Sequence, residues 1–343
     1  MVIKYFMENT ANLSKEAMQQ IRLCYCTYIE DGVNKFLSIM KNAKQFDDLL
    51  YHYILPSFDK TTELITGSVF HYTNAEALFC ILKSGGRKET ITLRSSRVDY
   101  MNDIYDGKDV FEFIFDECIK SQQINLSDNF KRYVIDLVKS LQKGQFFHVS
   151  SREVSYVSSL TLDGDSLPMW RNYTSNGGGY NIALDTNSLW DFCRKHHNLA
   201  LIPVVYEYDL MISILNAMLS TFSLIWESDP KNASQLKMFL FRSMMLAKLS
   251  FKHPSFSYEQ EIRLIKIEPR IVGINQSEKY AAVNGIMRPY IEVEIPKYIF
   301  SGVTVGPLLE ADTAKQTVVN VIKAYGGLGD SCRIDISAAP IRF

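Results

Sequence analysis

Segments with strand texture come in blocks along this 343-residue chain, and that grouping constrains the fold more than any other feature. Phe146 to Ser150, Ser155 to Thr161 and Tyr180 to Leu184 are β-branched, aromatic or alternating runs that follow one another across turns, and Val204 to Tyr208 extends the set. The mostly helical stretch Leu210 to Leu249, split by a turn over 228–232, separates them from Arg263–Ile267, Tyr290–Ile295 and Val303–Val305. A doubly wound parallel sheet needs a crossover helix between successive strands, and these blocks do not provide one. The pattern predicts an α+β fold around a largely antiparallel sheet, closed by a helix at Thr313–Tyr325 and a strand at Arg333–Ser337.

Composition narrows the function classes. Lys plus Arg is 37 against 38 for Asp plus Glu, so a net charge of −1 gives no broad field for nucleic acid or an anionic membrane. No apolar run is long enough to span a bilayer and no signal-peptide pattern opens the chain, so a cytoplasmic protein with no membrane partner is expected. The six cysteines are scattered, and the close pair Cys24 and Cys26 is too tightly spaced for a zinc pair; no metal site is expected. Residues 1–66 carry apolar positions such as Met18, Ile21, Tyr25 and Tyr28 at helical spacing, which predicts an N-terminal helical region available to a partner. The remainder, 67–343, reads as one α+β domain with a helical insertion at about 209–250.

Three constellations could carry chemistry. His71-Tyr72-Thr73 ends a strand and runs into a helix with Thr73 and Glu76 in capping-box positions, so the helix N-terminus could meet a phosphate and His71 a ribose hydroxyl. A capping threonine and a hydrogen-bonded histidine explain the same residues. In Asp165-Ser-Leu-Pro-Met-Trp170-Arg-Asn-Tyr173, two aromatics three residues apart could flank a flat ligand, with the glycines around Gly178 allowing close backbone approach. A hydrophobic plug before a hairpin is the alternative. Strand alternation then places Glu259, Glu261 and Arg263 on one face with Ile265 and Ile267, so carboxylates and a guanidinium lead into a core. Such a pair can stabilise an oxocarbenium-like transition state and orient a nucleophile; an exposed ion-pair row on an edge strand is the other reading. Asn102-Asp103 precedes a helix that Asp103 could cap.

Taken in order, these pieces resemble a bacterial family known as domain of unknown function 2971, over roughly His71 to Arg342. The resemblance rests on His71-Tyr72-Thr73, Asn102-Asp103, Leu167-Pro-Met-Trp170-Arg-Asn-Tyr173, Lys252-His-Pro-Ser-Phe256, Glu259-Gln-Glu261-Ile-Arg263, Gly306-Pro307 and Ser337-Ala-Ala-Pro340-Ile-Arg342. A more distant resemblance is to ADP-ribosyltransferases, whose layout places a His or Arg on a first strand, an aromatic motif next and a catalytic Glu on a later strand. It implies a split antiparallel sheet and NAD as co-substrate. His71 and Thr73, with Tyr72 between them, would hold the nicotinamide ribose and amide, and Trp170 or Tyr173 would stack on the nicotinamide. Asn102, Asp103 and Gly178 would complete the binding surface. Glu261 would be the catalytic carboxylate, Glu259 would orient the acceptor and Arg263 would fix the geometry. This sequence mixes branch features, joining a His start to a Glu-x-Glu pair and a Trp/Tyr pair before three glycines.

The expected activity is therefore NAD-dependent ADP-ribosyl transfer or NAD hydrolysis, with a protein, a nucleic-acid base or water as acceptor, in a bacterial toxin or phage-defence effector. Two alternatives stand beside it. One is a nucleotide-sensing or partner-binding module without turnover. The other is a metal-dependent nuclease that would read Glu261-x-Arg263 as a departure from Glu-x-Lys, with Asp103 as a second acidic ligand.

Overall fold

A computed structural model describes residues 67–86, 89–100, 103–120, 126–142, 153–175, 177–196, 198–228, 233–269, 277–283, 285–326, 328 and 332–340. The helical region expected over 1–66, the strand expected at 146–150, Asn102 and Arg342 lie outside these residues. The described chain is mixed α and β, and it divides into two compact units.

The first unit draws its described residues from 102–151 and 204–256. Its helices are α2 (Asp103–Lys120), α3 (Asp128–Gln142), α6 (Tyr208–Ser228) and α7 (Ala233–Ser250). Apolar residues at helical spacing bury Phe111, Ile114, Phe115 and Cys118 on α2, and Phe130, Val134 and Val138 on α3. Tyr133 stacks on Trp226 at 5.0 Å, and Lys237 covers the same two rings. The insertion expected at about 209–250 thus shares a compact unit with α2 and α3.

The second unit holds every strand of a ten-stranded sheet found among the described residues. The strands are β1 (Ser68–Thr73), β2 (Thr90–Arg97), β3 (Glu153–Thr161), β4 (Tyr180–Asp185) and β5 (Leu199–Pro203). They continue with β6 (Glu261–Pro269), β7 (Lys279–Val283), β8 (Ile286–Pro296), β9 (Phe300–Val305) and β10 (Arg333–Ile336). All pairings are antiparallel except β10 with β9. The fifth strand lies earlier than the expected Val204–Tyr208. The apolar run Leu199-Ala-Leu-Ile-Pro203 pairs with β6, Val205 makes only an isolated bridge, and Tyr208 already opens α6. Helices α1 (Ala75–Gly85), α4 (Leu167–Tyr173), α5 (Thr186–Arg194) and α8 (Ala311–Val321) complete the unit.

The sheet forks at β3. One edge of β3 pairs with β6 from Glu153 to Thr161. The other edge is shared: β2 joins at Tyr156 and Val157, whereas β1 joins only at Thr161. From there β1, β4, β9 and β10 form one branch, and β2, β8 and β7 form the other. Side chains satisfy the edge between the branches. Ser158 Oγ meets Ser95 Oγ at 2.6 Å, and His71 Nδ1 donates to the Ser159 carbonyl at 3.0 Å.

Candidate active site

The candidate site begins where β6 begins. Glu259 ends a 3-10 turn (Pro254–Glu259), Glu261 opens the strand, and Gln260 between them has φ 42°. A side chain with a Cβ rarely adopts this left-handed conformation, which costs roughly 1–2 kcal/mol. Strand alternation therefore does not reach back to Glu259, contrary to the expectation that Glu259 and Glu261 share a strand face. Glu261 and Arg263 do share one, and Arg263 donates to Glu261 through Nε at 2.9 Å and Nη2 at 3.0 Å. Both are buried, at 3% and 6% exposure, so this is a two-pronged ion pair inside the protein rather than an exposed edge row. Register sets Thr161 opposite Glu261, and Phe70 opposite Thr161.

Glu259 is fixed from two sides. Its carbonyl accepts from Thr161 Oγ1 at 2.6 Å, and its carboxylate accepts from the Tyr173 hydroxyl at 2.6 Å. Tyr173 lies at the C-terminal end of α4 and is 43% exposed, whereas the Glu259 carboxylate beneath it is buried. Asn172 Nδ2 adds a longer contact of 3.3 Å to the Tyr258 hydroxyl.

Helix α4 is anchored by its other aromatic. Trp170 is fully buried, edge-on to Tyr72 with ring centroids 4.7 Å apart, and its Nε1 donates to Asp165 Oδ1 at 2.7 Å. Trp170 and Tyr173 therefore do not form two facing walls: one is core and the other faces solvent. The Tyr72 hydroxyl donates to the Asp163 carbonyl at 2.9 Å and accepts from the Ser166 N–H at 2.8 Å. Burial raises the Tyr72 phenol far above its ordinary value, and the nearby Asp163 and Asp165 add to the effect, so it remains a donor.

Strand alternation and hydrogen bonding divide the first motif. Tyr72 shares the face that carries Phe70, Thr161 and Glu261, while His71 and Thr73 point to the opposite face. A carbonyl oxygen only accepts, so the His71 proton sits on Nδ1. Burial lowers the His71 pKa below its ordinary value, with the Ser159 hydrogen bond opposing, and keeps the ring neutral at pH 7. Thr73 is not the helix cap; Asn74 is, accepting from the Ala77 N–H at 2.8 Å, and Thr73 is a buried strand residue.

The glycines after α4 meet the chain itself. Gly177 has φ 92°, and a Cβ on Gly179 would lie 2.5 Å from the Thr73 carbonyl oxygen and from Thr174 Cβ. A Cβ on Gly178 would come 3.2 Å from the Ser175 carbonyl oxygen. Asp103 opens α2 in the other unit, and its side chain lies outside the described residues. Structure thus brings Tyr72, Trp170, Tyr173, Glu259, Glu261 and Arg263 to one region of the sheet unit and sets His71 and Thr73 across the sheet from them. Thr161, hidden as one polar residue in a strand, was missed in the sequence, and Asp165 stood at the head of the aromatic motif without its role as acceptor for Trp170.

Among the described residues, no group of three His, Cys, Asp or Glu side chains gathers to hold a metal ion, and no helix is long and apolar enough to cross a membrane. No curated protein and no solved structure matches the chain. Residues 169–264 match the family described as Protein of unknown function (DUF2971). This stretch runs from Met169 in α4 to Leu264 in β6 and takes in Tyr173, Glu259, Glu261 and Arg263.

Proposed function

We propose that the sheet unit cleaves the nicotinamide–ribose bond of NAD and passes the ADP-ribosyl group to an acceptor, which is water or a nucleophile on a macromolecule. One observation carries this reading: two buried carboxylates bracket the left-handed Gln260 at the head of the strand beside the fork, one gripped by Arg263 and the other beneath the half-exposed Tyr173. Backbone strain of this kind concentrates at working sites. The Arg263 fork keeps Glu261 ionised and fixes its orientation, and a carboxylate in such a fork still has lone pairs for a ribose 2′-hydroxyl. As the C1′–N bond breaks, nicotinamide leaves with the bonding electrons and positive charge grows on the ribose, where Glu261 stabilises it. The acceptor then bonds to C1′ and gives up a proton, and with water the products are ADP-ribose and nicotinamide. The test is nicotinamide release from NAD by the wild type and by Glu261→Gln. A loss of about 10²-fold or more is expected; unchanged turnover in the variant contradicts the proposal.

A binding module without turnover is the second reading, and a specific observation favours it. Glu261 is only 3% exposed with Arg263 on both oxygens, Trp170 is fully buried, and His71 faces away. NAD that binds the wild type and is recovered intact, with no nicotinamide released, would select this reading.

A further inference from the structure

Asp165 receives three donors from two separate parts of the sheet unit. Trp170 Nε1 reaches Oδ1 from α4 at 2.7 Å, the Ser337 hydroxyl reaches the same oxygen, and the Ala338 N–H reaches Oδ2 at 2.8 Å. The segment after β10 is itself fixed. Ser337 N–H donates to the Val305 carbonyl at 2.9 Å, Ala339 N–H donates to Ser337 Oγ at 3.1 Å, and Ala339 packs on Tyr72, Met169 and Trp170. Helix α4 has only seven residues, and its N-cap Ser166 makes no side-chain capping bond. A helix so short is not held by its own hydrogen bonds, so its orientation comes from outside anchors. The Asp165 carboxylate is such an anchor, and Tyr173, at the other end of the helix, is the residue that meets Glu259.

We propose that Asp165 is a positioning residue: it straps the segment Ser337–Ala339 to α4 and thereby holds the Tyr173 hydroxyl on Glu259. Any effect on turnover rests on the NAD reading above, whereas the strap itself does not. Two variants cut it from opposite sides. Asp165→Asn replaces one acceptor oxygen by an N–H₂ that faces donors, and Ala338→Pro removes the backbone donor from the other partner.

The measurement is amide hydrogen exchange by mass spectrometry on the full chain, following 167–174, 337–340, β3 and β6. Both variants are expected to speed exchange about tenfold in 167–174 as well as in 337–340, the loss of about one charge-assisted hydrogen bond, while β3 and β6 stay unchanged. Where the wild type turns over NAD, the same variants lower kcat per folded molecule and leave KM within about twofold, the unchanged exchange in β3 and β6 showing that the folded fraction has not fallen. Exchange that quickens only in 337–340 overturns the strap, and so does a uniform rise through β3 and β6. A wild type that does not turn over NAD removes the NAD reading and leaves the exchange result to decide the strap.

Discussion

The pairing of Glu261 with Arg263 makes the head of β6 sensitive to any change of charge. Removing one partner of a buried ion pair leaves the other uncompensated, which costs about 3–5 kcal/mol, whereas replacing both by neutral groups is far cheaper. Glu261→Gln is therefore expected to lose about 3 kcal/mol in chemical denaturation, and Glu261→Gln with Arg263→Gln to recover most of that loss. Equal losses in single and double variants would show that the pair does not act as a unit. The double variant also keeps the activity test interpretable if the single one folds poorly. His71 gives a second residue-scale prediction. Burial lowers its folded pKa below the ordinary 6.5, so the unfolded chain binds the proton more readily. The stability it contributes is fully present above pH 6.5 and is lost as pH falls toward the lower folded value. His71→Asn, which retains a donor for the Ser159 carbonyl, should lose less stability than wild type between pH 7.5 and 5.5. Parallel pH curves would refute this.

At the scale of elements, the glycine run joins α4 to β4, and its purpose is contact between strands. Gly179 lies against the Thr73 carbonyl, so Gly179→Ala should destabilise by about 2 kcal/mol or more through overpacking. A smaller loss, read from denaturant midpoints at unchanged m-value, would mean that the backbone there yields. The elements were legible where periodicity was clean. Alternation gave β3, β4 and β6 to within a few residues, and the 3.6-residue repeat of Phe130, Val134 and Val138 gave α3. Strand β7 was not legible, because Lys279-Tyr-Ala-Ala-Val283 has weak strand character and depends on pairing with β8. The cap at Asn74 was misassigned to Thr73 because both residue types cap helices and only backbone geometry separates them.

At the scale of the whole molecule, block order pointed to a largely antiparallel sheet, and the sheet of the second unit is of that kind. What linear order could not reveal was the fork, since it depends on two strands sharing one edge of β3 at different heights. Nor could it reveal faces: the single bridge Phe70–Thr161 separates Tyr72 from His71 and Thr73 across the sheet. The candidate site was accordingly legible at Glu259, Glu261, Arg263 and Tyr173, while Trp170 became a buried anchor. Whether this cluster works on NAD is read by isothermal titration of NAD into the wild type and Tyr173→Phe, with nicotinamide measured at the end point. Tyr173 is half exposed and its change deletes no charge, taking one hydrogen bond from Glu259 at a cost of about 1.5–3 kcal/mol, so denaturant unfolding of the variant accompanies the test. NAD is expected to bind the wild type and be consumed, and Tyr173→Phe to turn it over at least about tenfold more slowly through the lost hydrogen bond to Glu259. Absence of binding heat and of nicotinamide release with the wild type would contradict the NAD reading.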